Sequence, residues 1–201
     1  TNGWIPNSDI ANAFDHGDPP TQRGIFGYGT PGGTGSKVSM SNLVSSSGVV
    51  AADVTGVGTA RVYLAAAEYG GDKAIFGYGY TGSNVSMTNL ISNSGVAAAD
   101  VTGVGTARYD LAAAGYGGDK AIFAYGNSGS RVSLKNLVNN SGVVAADVTG
   151  VGTARDQMAA ASYGGDKAIF GYGYTGSLVS LTNLVSNTGV VAADVTGVGT
   201  A

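Results

Sequence analysis

The sequence predicts an all-β protein built from four copies of one unit, and two observations support that prediction. The first is a period of 47 residues: Phe76, Phe123 and Phe170 lie in nearly identical segments, and AADVTGVGTA occurs four times. The second is that 35 glycines separate short apolar runs, none with helical spacing. A fixed period of this length indicates a repeat architecture, and glycine-bounded apolar runs are typical of strands. The 201 residues are therefore expected to form one domain.

The unit at residues 108–154 shows the predicted elements in order. Residues 111–116 and 121–126 are short apolar runs on either side of the sequence GGDK. They predict a tight β-hairpin, because glycine adopts the positive φ that such turns require. Residues 131–138 alternate partly between apolar and polar side chains and predict a third strand. After the turn sequence NNSG, residues 143–149 predict a fourth strand, and GVGTA leads into the next unit.

Four short strands in a unit of this length predict one blade of a β-propeller. Solenoid units are shorter, and leucine-rich repeats have regularly spaced Leu and Asn. The copies lie near 24–60, 61–107, 108–154 and 155–201. They predict a four-bladed β-propeller. Residues 11–23 align with the strand that would follow Ala201, so the segment 1–23 is predicted to close the ring and leave no unpaired edge. An arc of four blades that dimerises into a larger ring is the alternative.

The unit resembles the kelch repeat, in which an Arg precedes a small-residue strand and a second strand ends in a glycine-rich doublet. Arg108, residues 111–114, the GGDK turn and residues 121–126 occupy these places. The unit differs from kelch in having Gly-Tyr-Gly or Ala-Tyr-Gly at the doublet, and Val143 and Val144 where kelch has Trp. The resemblance implies a kelch-like propeller.

Residues 24–201 are also similar to the Gly/Tyr-rich repeats of virion structural or tail-fibre proteins of marine bacteriophages. That resemblance implies adhesion or virion structure, no cofactor, and a virion or extracellular location. The expected function is non-enzymatic recognition of a cell-surface glycan or protein, by a monomer or as part of a larger assembly. A purely structural virion component and a hydrolase or lyase on a propeller scaffold are the alternatives.

Composition and motifs argue against several other functions. The net charge of −3 does not support nucleic-acid binding. Membrane insertion is not expected, because no apolar run approaches the roughly 18 residues that a membrane helix needs. Gly77 begins a match to the dinucleotide motif GxGxxG, but a strand is predicted where that motif needs a helix. The only non-repeated candidates for acid–base catalysis are Asp9, Asp15, His16 and Asp18.

Two charged series recur from copy to copy and are assigned structural roles. Each Asp is expected to cap a turn, or to pair with the Arg that follows it and so join neighbouring blades. A cation held by the carboxylates is the alternative. The two series are Asp53, Asp100, Asp147 and Asp194, and Arg61, Arg108 and Arg155.

Two tyrosine series also recur. Burial between blades with a hydrogen-bonded hydroxyl is the expected outcome, and stacking on glycans is the alternative. The members are Tyr28, Tyr78, Tyr125 and Tyr172 in one series, and Tyr69, Tyr116 and Tyr163 in the other.

Candidate binding residues come from comparing the copies, because positions that differ are free of packing constraints. Residues 62–63 differ from their equivalents 109–110 and 156–157, and Lys37 from its equivalents Asn84, Arg131 and Leu178. Loops on a rigid scaffold commonly carry specificity, although neutral drift would leave the same pattern. The predicted ligand-binding residues are Tyr80, Asn84, Tyr109, Arg131 and Tyr174, and no catalytic or metal-binding residue is predicted.

Overall fold

The computed structural model describes residues 24–31 and 35–201. These residues form an all-β structure of eleven strands in four separate antiparallel sheets. The first copy contributes a two-stranded sheet and each later copy a three-stranded one. The closing strand predicted at 1–23 lies outside the described residues. The strands are β1 Gly24–Gly29, β2 Val38–Val44, β3 Ala65–Tyr69, β4 Lys73–Gly77, β5 Thr88–Ile91, β6 Ala112–Tyr116, β7 Lys120–Ala124, β8 Lys135–Val138, β9 Ala159–Tyr163, β10 Lys167–Gly171 and β11 Thr182–Val185.

The predicted hairpin is confirmed in every three-stranded sheet. In the third copy β6 pairs antiparallel with β7, and the pairing ends at the turn with Tyr116 opposite Lys120. Gly117 and Gly118 in the turn have φ angles of 64° and 80°. A side chain is strained in this region, so the two glycines allow the chain to reverse within a few residues.

The third strand is shorter than predicted. In the third copy β8 begins at Lys135, not at residue 131. The preceding residues form a tight loop, in which Asn127 and Arg131 make an isolated antiparallel bridge and Gly129 has φ 115°. Because Asn127 and Arg131 pair with each other, regular pairing with β7 starts only after this loop.

The predicted fourth strand is an extended segment that touches β8 at two isolated bridges. In the third copy these bridges join Val138 to Val144 and Lys135 to Val148. Between them, the side-chain amide of Asn136 donates a 3.0 Å hydrogen bond to the Ala145 carbonyl. Because the Ala145 carbonyl accepts from a side chain and not from the backbone of β8, regular strand pairing is interrupted between the two bridges.

Consecutive copies are joined by a repeated backbone hydrogen bond and by buried apolar clusters. The bonds run from Gly29 N to Arg61 O, from Gly79 N to Arg108 O and from Gly126 N to Arg155 O, each 3.0 Å long. One cluster of Ala, Ile, Phe, Tyr and other apolar side chains joins the second and third copies, and another joins the third and fourth. Within the described residues, no helix is long and apolar enough to cross a membrane.

A tyrosine of each of the first three copies packs against a phenylalanine of the next copy, with the two rings tilted by about 60°. The ring centroids are 5.3, 5.2 and 5.5 Å apart in the pairs Tyr28–Phe76, Tyr78–Phe123 and Tyr125–Phe170. The phenylalanines in these pairs are buried, whereas Phe26 of the first copy is 64% exposed. Tyr172 of the last copy is 44% exposed. The first and last copies therefore each present one half of a contact that recurs at every described junction.

Candidate functional site

The repeated arginine lies at the centre of each junction. Arg108 is buried and donates hydrogen bonds from Nε to Tyr125 O at 2.8 Å, from Nη1 to Thr106 O at 3.0 Å and from Nη2 to Asn136 Oδ1 at 2.7 Å. Its guanidinium also lies 4.3 Å from the ring centroid of Tyr78 in the preceding copy, a cation–π contact. Each such arginine thus holds its own copy together and links it to the one before.

The repeated aspartate pairs with a different arginine from the one expected. Asp147 lies 3.9 Å from Arg108, which begins the same copy, and the expected pairing with the following Arg155 is wrong. The same arrangement joins Asp100 to Arg61 at 3.8 Å and Asp194 to Arg155 at 3.5 Å. The ion pair therefore stabilises one copy and does not bridge two.

Hydrogen bonds use most of the capacity of the Asp147 carboxylate. Oδ2 accepts from the Thr106 backbone at 2.9 Å and from the Thr106 hydroxyl at 2.6 Å, and Oδ1 accepts from Asn136 at 2.9 Å. Partial burial alone would raise the pKa of Asp147, but these hydrogen bonds, with the charge of Arg108, outweigh it and hold the pKa below its usual value. In the described part of the chain no three acidic or histidine side chains form a metal-binding group.

Two repeated tyrosines belong to the same hydrogen-bonded network as Arg108, Asn136 and Asp147 or to its equivalent in the preceding copy, and we call this network the frame. Tyr78 and Tyr125 are buried, and their hydroxyls donate 3.1 Å hydrogen bonds to Val104 O and Val151 O. Burial raises the pKa of each tyrosine to about 12. The predicted burial with a hydrogen-bonded hydroxyl is confirmed for both, and so their rings are not available to a ligand.

The junction between the second and third copies carries an exposed aromatic surface. The rings of Tyr63 and Tyr109 have centroids 6.0 Å apart, and those of Tyr80 and Tyr109 are 5.9 Å apart. Tyr63 is 59% exposed, and Tyr80 and Tyr109 are half-buried. Lys37 Nζ lies 5.5 Å from the Tyr80 centroid. We call Tyr63, Tyr80 and Tyr109 the tyrosine platform.

The equivalent positions of the next junction carry polar side chains, two of which bind each other. Asp110, Asn127 and Asp156 replace the three tyrosines. The Asn127 amide donates to Asp156 at 3.0 Å, and Arg131 Nε donates to the same carboxylate at 3.2 Å. Arg131 also lies over the Tyr174 ring, 4.4 Å from its centroid. Asp156 is buried, so Arg131 neutralises a carboxylate that has little access to solvent.

A backbone ladder aligns the copy-specific residues of successive copies. Asp110 N donates to Tyr63 O, and Gln157 N donates to Asp110 O, each at 3.0 Å. Burial raises the pKa of Asp110 and the nearby charge of Asp156 raises it further, although a hydrogen bond from Gln157 lowers it. We call Asp110 and Gln157 the polar row; it lies directly beside Tyr63.

The structure places all five predicted binding residues at junctions between copies. Tyr80 meets Tyr109, and Arg131 meets Tyr174. Asn84 forms an isolated bridge with Tyr80, and its side chain donates a 3.4 Å hydrogen bond to the Asn127 carbonyl, which also accepts from Tyr109 N. The prediction omitted Tyr63 and the polar row, although the differences between copies at these positions were the signal that could have identified them.

The dinucleotide motif and the acid–base candidates noted in the sequence are not part of the tyrosine platform. The loop that begins at Gly77 is followed by β5 and not by a helix, so it lacks the helix N-terminus that a dinucleotide pyrophosphate needs. The four acid–base candidates Asp9, Asp15, His16 and Asp18 lie outside the described residues. No known protein family matches the chain, and no curated protein matches it either.

Proposed function

We propose that this protein is a non-enzymatic recognition module whose four copies form a closed four-bladed β-propeller. The observation that carries the proposal is that residues common to the copies and residues that differ between copies have different structural roles. Side chains common to the copies, such as Arg108, Asn136 and Asp147, bind one another, whereas the copy-specific Tyr63 is 59% exposed and, of the residues compared, Asp156 is a buried exception. A scaffold that satisfies its own polar groups can vary its surface residues without loss of the fold.

Ring closure is supported by two complementary ends. Among the described residues, Tyr172 and Phe26 are the two halves of the tyrosine–phenylalanine contact that have no partner. A second repeated contact follows the same pattern, because a threonine hydroxyl of each of the first three copies donates to an aspartate of the next copy at 2.6 Å, as Thr106 does to Asp147. Thr200 and Asp53 hold the equivalent positions in the last and first copies. If the last copy packed against the first, Tyr172 would contact Phe26 and Thr200 would donate to Asp53.

Phenylalanine truncation tests closure. Phe123→Ala removes a buried ring and is expected to lower the free energy of unfolding by about 3–5 kcal/mol. In a closed ring Phe26→Ala has a similar effect, since Tyr172 covers it. In an open arrangement Phe26→Ala changes stability by less than about 1 kcal/mol, and that result would refute closure. Deleting residues 1–23 should likewise lower the melting temperature or cause aggregation if they supply the closing strand.

Binding to intact cells and to a glycan array tests the recognition function. The proposed ligand is a cell-surface glycan or protein, as for a phage fibre. Fluorescently labelled protein is expected to be retained by cells of the target species and released by excess unlabelled protein. No saturable retention on any cell type, together with an empty array, would contradict recognition.

A purely structural role in a virion or another large assembly is the second candidate, and one observation favours it. An exposed valine recurs in every copy, with Val49 and Val96 each 64% exposed and Val143 and Val190 each 61% exposed. Regularly repeated apolar side chains suit a surface that is covered in an assembly. Sedimentation of the parent and of a variant with all four valines replaced by Ser tests this role, because only an assembly that uses these valines is lost in the variant.

A further inference from the structure

We propose that the tyrosine platform, together with the polar row beside it, binds a neutral saccharide. This inference rests on the proposed recognition function and assigns it a ligand class and a site.

The platform is available to a ligand. Tyr63 is exposed over more than half of its surface. Within the described residues, the hydroxyls of Tyr63, Tyr80 and Tyr109 donate no hydrogen bond, in contrast to those of the frame tyrosines Tyr78 and Tyr125. The platform therefore offers ring faces and free hydroxyls together, and apolar surface with a few directed polar groups is typical of a small-molecule site.

Ring spacing distinguishes a stacking surface from a cation cage. The centroids of neighbouring rings lie 5.9 and 6.0 Å apart, with interplanar angles of 59° and 48°. At these distances the rings contact each other directly. An ammonium group enclosed by several rings needs space between them, since each face lies within about 6 Å of the cation. The three tyrosines leave no such space, but their continuous surface suits the apolar face of a sugar ring.

The polar row supplies partners for sugar hydroxyls. The backbone ladder places Asp110 next to Tyr63 and Gln157 next to Asp110. A carboxylate accepts hydrogen bonds at both oxygens, and a side-chain amide both donates and accepts. A sugar ring stacked on Tyr63 therefore has hydroxyl partners on its polar edge.

Charge favours a neutral saccharide over an acidic one. Arg131 forms an ion pair with Asp156, with 3.2 Å between Nε and Oδ1. Lys37 lies over the ring of Tyr80, whereas the backbone ladder places Asp110 next to Tyr63. Asp110 pairs with no cation among the described residues, so it repels an anionic group placed on Tyr63.

The binding experiment uses the full chain and substitutions taken from its own copies. Tyr63→Gln and Tyr80→Asn introduce the residues found at the equivalent positions of the fourth and third copies, so the fold is expected to tolerate them. Tyr163→Gln removes a partly exposed tyrosine elsewhere and is the matched control. Circular dichroism confirms that each variant is folded. The probes are maltohexaose, cellohexaose and mannohexaose, with an oligoglucuronate and a hexaproline peptide as the competing ligand classes.

Saturation-transfer NMR and calorimetry measure the outcome. The parent is expected to bind at least one neutral hexasaccharide, the Tyr63→Gln and Tyr80→Asn double variant to bind it at least tenfold more weakly, and Tyr163→Gln to bind it within twofold of the parent. Equal binding by the double variant overturns the site but leaves recognition intact. Preference for oligoglucuronate or hexaproline overturns the ligand class. Binding of no probe overturns the saccharide proposal, while retention on cells decides recognition separately.

Discussion

Replacing Arg108 with Met tests whether the repeated arginine holds the fold together. The substitution keeps most of the length of the side chain but removes every donor. Tyr125 O and Asn136 Oδ1, which accept at 2.8 and 2.7 Å, would lose a buried partner. A buried acceptor left without a donor costs about 1–3 kcal/mol, and breaking a buried ion pair costs about 3–5 kcal/mol. The Asp147 side chain is 26% exposed and keeps some hydration, so we expect a loss of about 4 kcal/mol.

Urea unfolding of the parent and of the variant measures this loss. Lys120→Met is the control, because it removes an exposed ion pair with Asp119 at 2.7 Å and is expected to leave stability almost unchanged. If Arg108→Met does not fold, Arg108→Lys gives a milder perturbation, since it keeps the charge and loses the planar fork. Folded Arg108→Met with a free energy of unfolding within about 1 kcal/mol of the parent would refute the reasoning.

Three further predictions concern pH and metals. The pKa values of Asp100, Asp147 and Asp194 are lowered in the fold, so the stability they contribute is complete above the unfolded pKa of about 3.9 and is lost as the pH falls through the folded values. Melting temperatures measured from pH 6 to pH 2 should drop in this acid range. The pKa of Asp110 is raised, so its charge destabilises the fold at neutral pH. Asp110→Asn should therefore melt higher than the parent at pH 7, with the gain vanishing below about pH 3.9; a lower melting temperature at pH 7 would contradict this sign. A chelator should leave the parent's melting temperature unchanged, because hydrogen bonds already occupy the repeated carboxylates, and a fall would instead support a bound cation.

Local sequence signals predicted the elements that depend on local conformation. The paired glycines of the GGDK turn predict a hairpin, because few other residues adopt the φ angles of 64° and 80° found at Gly117 and Gly118. The 47-residue period predicted equivalent surroundings for Tyr78 and Tyr125, and both are buried with hydrogen bonds of the same length. These features follow from residue type and position within one copy.

Features that depend on pairing between distant segments were not predicted. The arginine that binds Asp194 lies 39 residues before it, because antiparallel pairing within a copy brings the fourth segment back beside the third strand. For this reason the arginine nearest to Asp100 or Asp147 in the sequence is not its partner in the structure. Likewise, the side chain of Asn136 donates to the Ala145 carbonyl, a contact that alternation of apolar and polar residues does not encode, and so a regular fourth strand was predicted where the structure has only isolated bridges.

The candidate site shows why comparison of copies finds variable positions but not the surface they form. Tyr63 and Tyr109 belong to different copies and meet only because the backbone bond from Asp110 N to Tyr63 O sets the alignment of one copy on the next. That alignment is held by side chains such as Arg108 that do not vary. The frame can therefore present three tyrosines at one junction and a buried, neutralised carboxylate such as Asp156 at the next. The same geometry gives these two junctions different chemistry: among the described residues the hydroxyls of the three tyrosines donate no hydrogen bond, whereas Asn127 and Arg131 at the next junction both bind Asp156.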